Sequence, residues 1–223
     1  MGRKITVSGT ASICLAPDTT ILDVSINGEE KTYQKALERS ADSVDALLAA
    51  FREIGFSGED LKTSAFRIDP HYEGYQDEKG RWVNKLDGFE FRHSFSVQFK
   101  SDVGLLGKCL AALAASSARP QFSIRYTVAD QTRAKDQLLK LAVKNSRKKV
   151  ELLCKAAGVK LGAIDDISYS FRGVPVYSFT EEAMPAVDMA SGASAKLMAR
   201  NMSITPQDIE ISDTVTISWE IEE

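Results

Sequence analysis

The chain has 223 residues, 43% of them hydrophobic and 26% charged, with a formal net charge of −3. That length can bury a sizeable core in one large domain or two small ones. The absence of a basic excess points away from nucleic acid, and the absence of an acidic block points away from a disordered tail.

The N-terminus enters a strand almost at once. Arg3 and Lys4 carry the charge of a signal-peptide start, but no apolar stretch follows; "ITVSGTAS" alternates instead. No run approaches the roughly 18 apolar residues that a membrane helix needs. The expected location is the cytoplasm, with the periplasm or cell envelope as the alternative if a leader has been removed. Within residues 3–30, Ile5, Val7, Ala11 and Ile13 share one face, and Thr6, Ser8, Thr10 and Ser12 the other. Gly9 falls on the apolar face, where a missing side chain admits a close neighbour. Pro17 and Asp18 end this strand, and a second one follows with Leu22, Val24 and Ile26 inward. The two are expected to pair as a hairpin.

Thr32 or Lys31 opens a helix whose stripe is Tyr33, Leu37, Ala41, Val44, Leu47, Leu48, Phe51 and Ile54, stopped by Gly55. A hairpin with one apolar face needs such a cover. A third strand spans about Thr63 to Pro70. Residues 71–88, polar and glycine-bearing, predict a long hairpin loop. The fourth strand sets Phe89, Phe91, His93, Phe95, Val97 and Phe99 on one face. A short helix over about Val103 to Ser117 precedes a fifth strand with Phe122, Ile124, Tyr126 and Val128 inward. A long helix from about Gln131 to Ala157 ends at Gly158, and a sixth strand carries Ile167, Tyr169 and Phe171. Residues 173–206 lose periodicity and are expected to form a flexible loop. The last strand, from Ile209 to Glu222, aligns Ile209, Ile211, Val215, Ile217, Trp219 and Ile221, with Asp213 predicting a bulge or bend. The fold class is α+β: antiparallel sheets built from hairpins, packed against two long amphipathic helices and one short one. "ITVSG" and "VTISWEI" predict exposed, poorly protected edges.

The three cysteines, Cys14, Cys109 and Cys154, are widely spaced, have no CxxC or Cys/His partner, and predict three buried free thiols rather than zinc. Asp69, His71, Tyr72 and Glu73 could form a surface metal site, against the plainer expectation of a solvated hairpin. His93, alone among phenylalanines, predicts a satisfied core or interface histidine rather than a base. The G-x-x-G of "GLLGKCLAALAASSA" lacks the ending of a phosphate loop. Ser116, Ser117 and Ser191-Gly192 lack the setting of a hydrolase nucleophile. Arg147, Lys148 and Lys149 predict a solvated helix face. Met184, Met189, Met198 and Met202 predict a loop settling on the body or a neighbouring subunit, rather than a Cu(I) site.

The chain resembles the SIMPL-domain family. Its opening matches that family's glycine-to-Pro-Asp start, helix and turn at Gly9, Ala11, Pro17, Asp18, Ala36, Gly55, Asp60, Leu61, Thr63, Ile68, Pro70 and Tyr72. "RAKDQLLKLAVKNSRKKVELLCKAAGVKLGAIDDIS" and "TPQDIEISDTVTISWEIE" are similar to its later helix and closing strand. Asn145, Ser146, Lys149 and Gln207-Asp208 depart from the pattern and bear on how the second long helix packs.

The resemblance implies a single domain over 1–223, within which the order of the elements leaves room for two lobes (about 1–100 and 101–223). It implies bacterial relatives secreted to the periplasm or envelope and linked to stress tolerance or antigenicity, and a eukaryotic signalling adaptor. It carries over no catalytic, cofactor-binding or metal residue. The expected function is a non-enzymatic oligomeric scaffold or binding protein, stress- or envelope-related. It is expected to be a homo-oligomer with room for a protein partner, and to have no cofactor, nucleic acid or transmembrane segment. The alternatives are an enzyme or antioxidant factor with a cleft under the 71–88 and 173–206 loops, and an adaptor that binds a partner on a sheet edge.

Overall fold

The structure, a computed structural model, describes residues 3–169, 176–179 and 206–222. In chain order it contains β1 (Lys4–Leu15), β2 (Thr19–Glu30), α1 (Tyr33–Glu53), β3 (Leu61–Gln76), β4 (Trp82–Lys100), α2 (Val103–Ala115), β5 (Gln121–Thr127), α3 (Gln131–Ala157), β6 (Lys160–Ser168), β7 (Ser178–Phe179) and β8 (Ile209–Glu222). The class is α+β, with antiparallel sheets of order β1-β8-β6 and β3-β4-β2-β5-β7. The described residues divide into two units, each with its own core: residues 3–18, 127–169, 176–178 and 207–222 in one, and Thr19–Tyr126 in the other.

The first unit lays α3 on one face of β1-β8-β6. Val7 and Ala11 from β1, Leu138, Ala142 and Val150 from α3, and Ile211, Val215, Ile217 and Trp219 from β8 are all buried together. The close approach foreseen at Gly9 is present. A Cβ there would lie 2.2 Å from the Ala142 carbonyl oxygen and 2.4 Å from the Ser146 nitrogen, so the helix backbone sits directly on the strand. The polar face of β1 pairs hydroxyl to hydroxyl with β8, Thr6 to Ser218, Ser8 to Thr216 and Thr10 to Thr214, at 2.8–2.9 Å. Asp130 caps the start of α3 by accepting from the Arg133 N–H at 2.8 Å, and Gly158 ends it at φ 70°.

Several expectations for this unit are corrected. β1 does not form a hairpin with β2: it pairs with β8, while β2 pairs with β4. Pro17-Asp18 is therefore a crossing between sheets, not a turn. Asp213 causes no bulge, since the register runs unbroken from Lys4↔Glu220 to Leu15↔Ile209. Asp213 is accommodated by the Tyr169 hydroxyl, which donates to its carboxylate at 2.7 Å and is thereby held to a raised pKa. "VTISWEI" lies in β8, the central strand, so it is no edge. Cys14 is exposed rather than buried, because its position along β1 puts it on the hydroxyl-bearing face; Cys109 and Cys154 are buried, and all three are free.

In the second unit α1 and α2 cover one face of the sheet. Leu22, Val24 and Ile26 of β2, Phe91, Phe95 and Val97 of β4, and Ile124 and Tyr126 of β5 meet Leu47 and Phe51 of α1 and Leu106, Cys109 and Leu113 of α2. The phenylalanine face of β4 is thus the core face. Thr32 caps α1 through its hydroxyl, which accepts from the Lys35 N–H at 3.3 Å. The inward line of α1 differs from the expected stripe in its first half. Ala36 and Ser40 are buried, whereas Tyr33 and Leu37 stay exposed, because small residues let the helix approach the sheet. Phe122 is exposed at the start of β5, and Val128 belongs to the other unit's core. On the opposite face Arg125 holds Asp23 with two charge-assisted hydrogen bonds of 2.6 and 3.0 Å.

Candidate functional site

The expected 71–88 loop is a two-stranded ribbon. β3 and β4 remain paired out to Gln76↔Trp82, which leaves only residues 77–81 as the turn. Asp77 organises that turn by accepting from the N–H groups of Lys79 and Arg81, both at 2.9 Å, and Gly80 takes the positive φ of 73°. These bonds hold the Asp77 carboxyl below its ordinary pKa. Tyr72, Tyr75, Val83 and Leu86 fall on both faces among polar residues, so no alternation marks the ribbon in the sequence. β3 is an edge strand, the setting in which its Pro70 is tolerated.

The ribbon buries little. Trp82 is 74% exposed, and Tyr72, Tyr75, Val83 and Leu86 are exposed with it. Tyr72 faces Leu86 in the register and Tyr75 faces Val83, so apolar pairs lie on both of its faces. At its root the register shifts, leaving Asp87 of β4 unpaired between His71↔Gly88 and Tyr72↔Leu86. There His71 of β3, Glu29 of β2 and Glu90 of β4 bring their ligand atoms within 4.8 Å of one another. This is not the set the sequence suggested. Asp69 is held by Arg67 at 3.2 Å, and Glu73 faces Lys85. Glu29 and Glu90 were missed because no local motif links residues on three strands.

His93 is half-buried on the core side, 4.3 Å from the Phe95 ring and 4.7 Å from that of Phe66, with the Ser40 and Thr63 hydroxyls at 3.4 and 3.5 Å. Burial lowers its pKa. The basic triplet lies along α3, where Arg147 pairs with Glu151 at 3.1 Å and Lys149 donates to the Ser8 carbonyl at 2.7 Å. Gly104 and Gly107 lie inside α2, not in a loop. Ser116 is the C-cap of α2. The four loop methionines and Ser191-Gly192 lie outside the described residues. Two shallow hollows, of about 420 and 500 Å³, are lined mainly by charged and polar side chains, among them Asp60 and Lys62 in one and Asp130 and Arg133 in the other.

Residues 5–219 match the family model of SIMPL, a protein of unknown function (DUF541). The chain belongs to the SIMPL family. This SIMPL chain is 25% identical over 165 residues to the 26 kDa periplasmic immunogenic protein of Brucella melitensis, covering 74% of the chain and 66% of that relative's length. It is 24% identical over 222 residues to the uncharacterized protein YggE of Escherichia coli K12, covering 99% of the chain and 84% of that protein. A Brucella abortus counterpart of the first also bears the name of a periplasmic immunogenic protein. These names overturn the expected cytoplasmic location. No helix among the described residues is long and apolar enough to cross a membrane.

Proposed function

We propose that this SIMPL chain is a non-enzymatic scaffold of the periplasm or cell envelope that associates with copies of itself through the β3–β4 ribbon. The observation that supports this is the ribbon's exposure of Trp82, Tyr72, Tyr75, Val83 and Leu86 on a two-stranded projection. A concentration of exposed apolar side chains marks an interaction surface, and an isolated pair of strands is marginal in water. A second copy fits by charge. Residues 72–86 carry three acidic side chains (Glu73, Asp77, Glu78) and three basic ones (Lys79, Arg81, Lys85), so two ribbons meet without net repulsion. A two-fold contact of one surface with itself requires such self-complementarity. The periplasmic names of the Brucella relatives support the location.

Light scattering at micromolar concentration tests the reading. The expected mass exceeds the 24.4 kDa of one chain and rises with concentration. Trp82→Lys together with Tyr75→Lys should return it to one chain with an unchanged circular dichroism spectrum. A wild-type mass fixed at one chain would sink the proposal.

A further inference from the structure

We infer that Glu29, His71 and Glu90 form a binding site for a divalent transition-metal ion. The three side chains come from neighbouring strands, and their ligand atoms lie within 4.8 Å of one another. Ligands about 2.0–2.2 Å from one ion are about 3.0–3.6 Å apart unless they are trans, so side-chain movements on the order of an ångström complete the geometry.

The surroundings give a second, independent reason. Glu29 and Glu90 are directly opposed in the β2–β4 register, an arrangement that destabilises a sheet when both carry like charge. The nearby cations make their ion pairs with other carboxylates or none. Lys31 reaches the Asp87 carboxylate at 2.7 Å and its carbonyl at 3.1 Å while feeling the Glu29 charge at longer range, and Arg39 takes the Glu30 carboxylate at 2.8 Å and the Glu29 backbone carbonyl at 3.1 Å. Arg67 takes Asp69 at 3.2 Å, and Arg92 donates to the Asn27 side chain at 3.1 Å. Among the described residues, the side chains of Glu29, His71 and Glu90 have no hydrogen bond or ion pair. The structure thus gathers two carboxylates that have no ion pair of their own, with the His71 imidazole beside them.

The donor set selects the class of ion. One imidazole nitrogen with two carboxylate oxygens suits zinc, manganese, iron, cobalt or nickel, whereas calcium takes six to eight oxygens. His71 and Glu90 are half-buried and Glu29 is exposed, so water can supply the remaining ligands. The inference is independent of self-association.

The test is calorimetric titration of the full, untagged chain with zinc chloride and, separately, manganese chloride. One equivalent of at least one ion should bind. Glu90→Gln, which preserves shape, and His71→Ala should each weaken binding at least about tenfold, while Glu73→Gln and His93→Gln leave it unchanged. Thermal unfolding gives a second readout. Without metal, Glu90→Gln should melt no lower than wild type, because the opposed charges are relieved. With saturating metal, wild type should melt higher. Absence of binding at millimolar ion, or binding that survives both Glu90→Gln and His71→Ala, would overturn the site.

Discussion

At Gly9 the missing side chain decides how a helix and a strand meet. Backbone atoms of Ala142 and Ser146 occupy the space a methyl group would need, and backbone cannot swing aside as the tip of a long side chain can. Gly9→Ala should therefore cost about 3 kcal/mol, the upper end of overpacking penalties. For a chain of this size that lowers the melting midpoint by roughly 6–12 °C. Gly74→Ala, whose new atom would be 3.6 Å from its nearest neighbour, is the control and should change little. Equal midpoints for the two variants would show that α3 does not rest on β1. The departures from the family pattern on α3 find partners at the same contact. Ser146 is buried and donates to the Val7 carbonyl at 3.2 Å, Asn145 donates to Thr10 at 3.0 Å, and Lys149 donates to Ser8. Arg3 accepts from the Ile221 N–H, so in this unbroken register the carbonyls of odd-numbered β1 residues face β8, and those of Ser8 and Thr10 face outward. Lys149 and Asn145 thus satisfy acceptors on an edge strand that looked undefended in the sequence.

Strands and helices were legible wherever one face is buried, because burial imposes a period. β4 gives the test. Its inner half places Phe91, Phe95 and Val97 under the helices, and its outer half forms one side of the ribbon. Phe95→Ala should cost about 3–5 kcal/mol in denaturant unfolding. Measured at a concentration where the chain is single, Leu86→Ala, at a position 47% exposed, should cost less than about 1 kcal/mol. Comparable losses at the two sites in the single chain would mean that the ribbon is packed within its own chain. The ribbon itself was read as a loop because exposure on both faces removes the alternation that marks a strand. Pairing partners were equally hidden: the stretch from Ala16 to Asp18 has turn chemistry whether it joins two strands of one sheet or strands of two. The Glu29–His71–Glu90 cluster depends on register, which no local pattern encodes.

Across the whole chain the cysteines act as reporters. Cys109 belongs to the core of the Thr19–Tyr126 unit, where burial pushes its thiol up to about 11. Cys154 belongs to the other core, and Cys14 faces solvent. A thiol reagent near neutral pH should modify one cysteine rapidly in the folded protein and all three after unfolding without reductant. A total of one in the unfolded chain would reveal a disulfide, as an oxidising compartment permits.

The pairing of β1 with β8 also bears on how the molecule is made. Thr6 and Ser218, bonded to each other, are 212 residues apart. A ribosome therefore releases β1 long before its strand partner exists, and α3, which covers its apolar face, emerges only after the Thr19–Tyr126 stretch. Ile5, Val7 and Ile13 have neither neighbour in place until α3 emerges, and no strand partner until β8 does. The loop-closure cost grows only logarithmically with length, but contacts this distant form slowly. Assembly of this sheet thus waits until β8 has been made, and until then β1 has no strand partner.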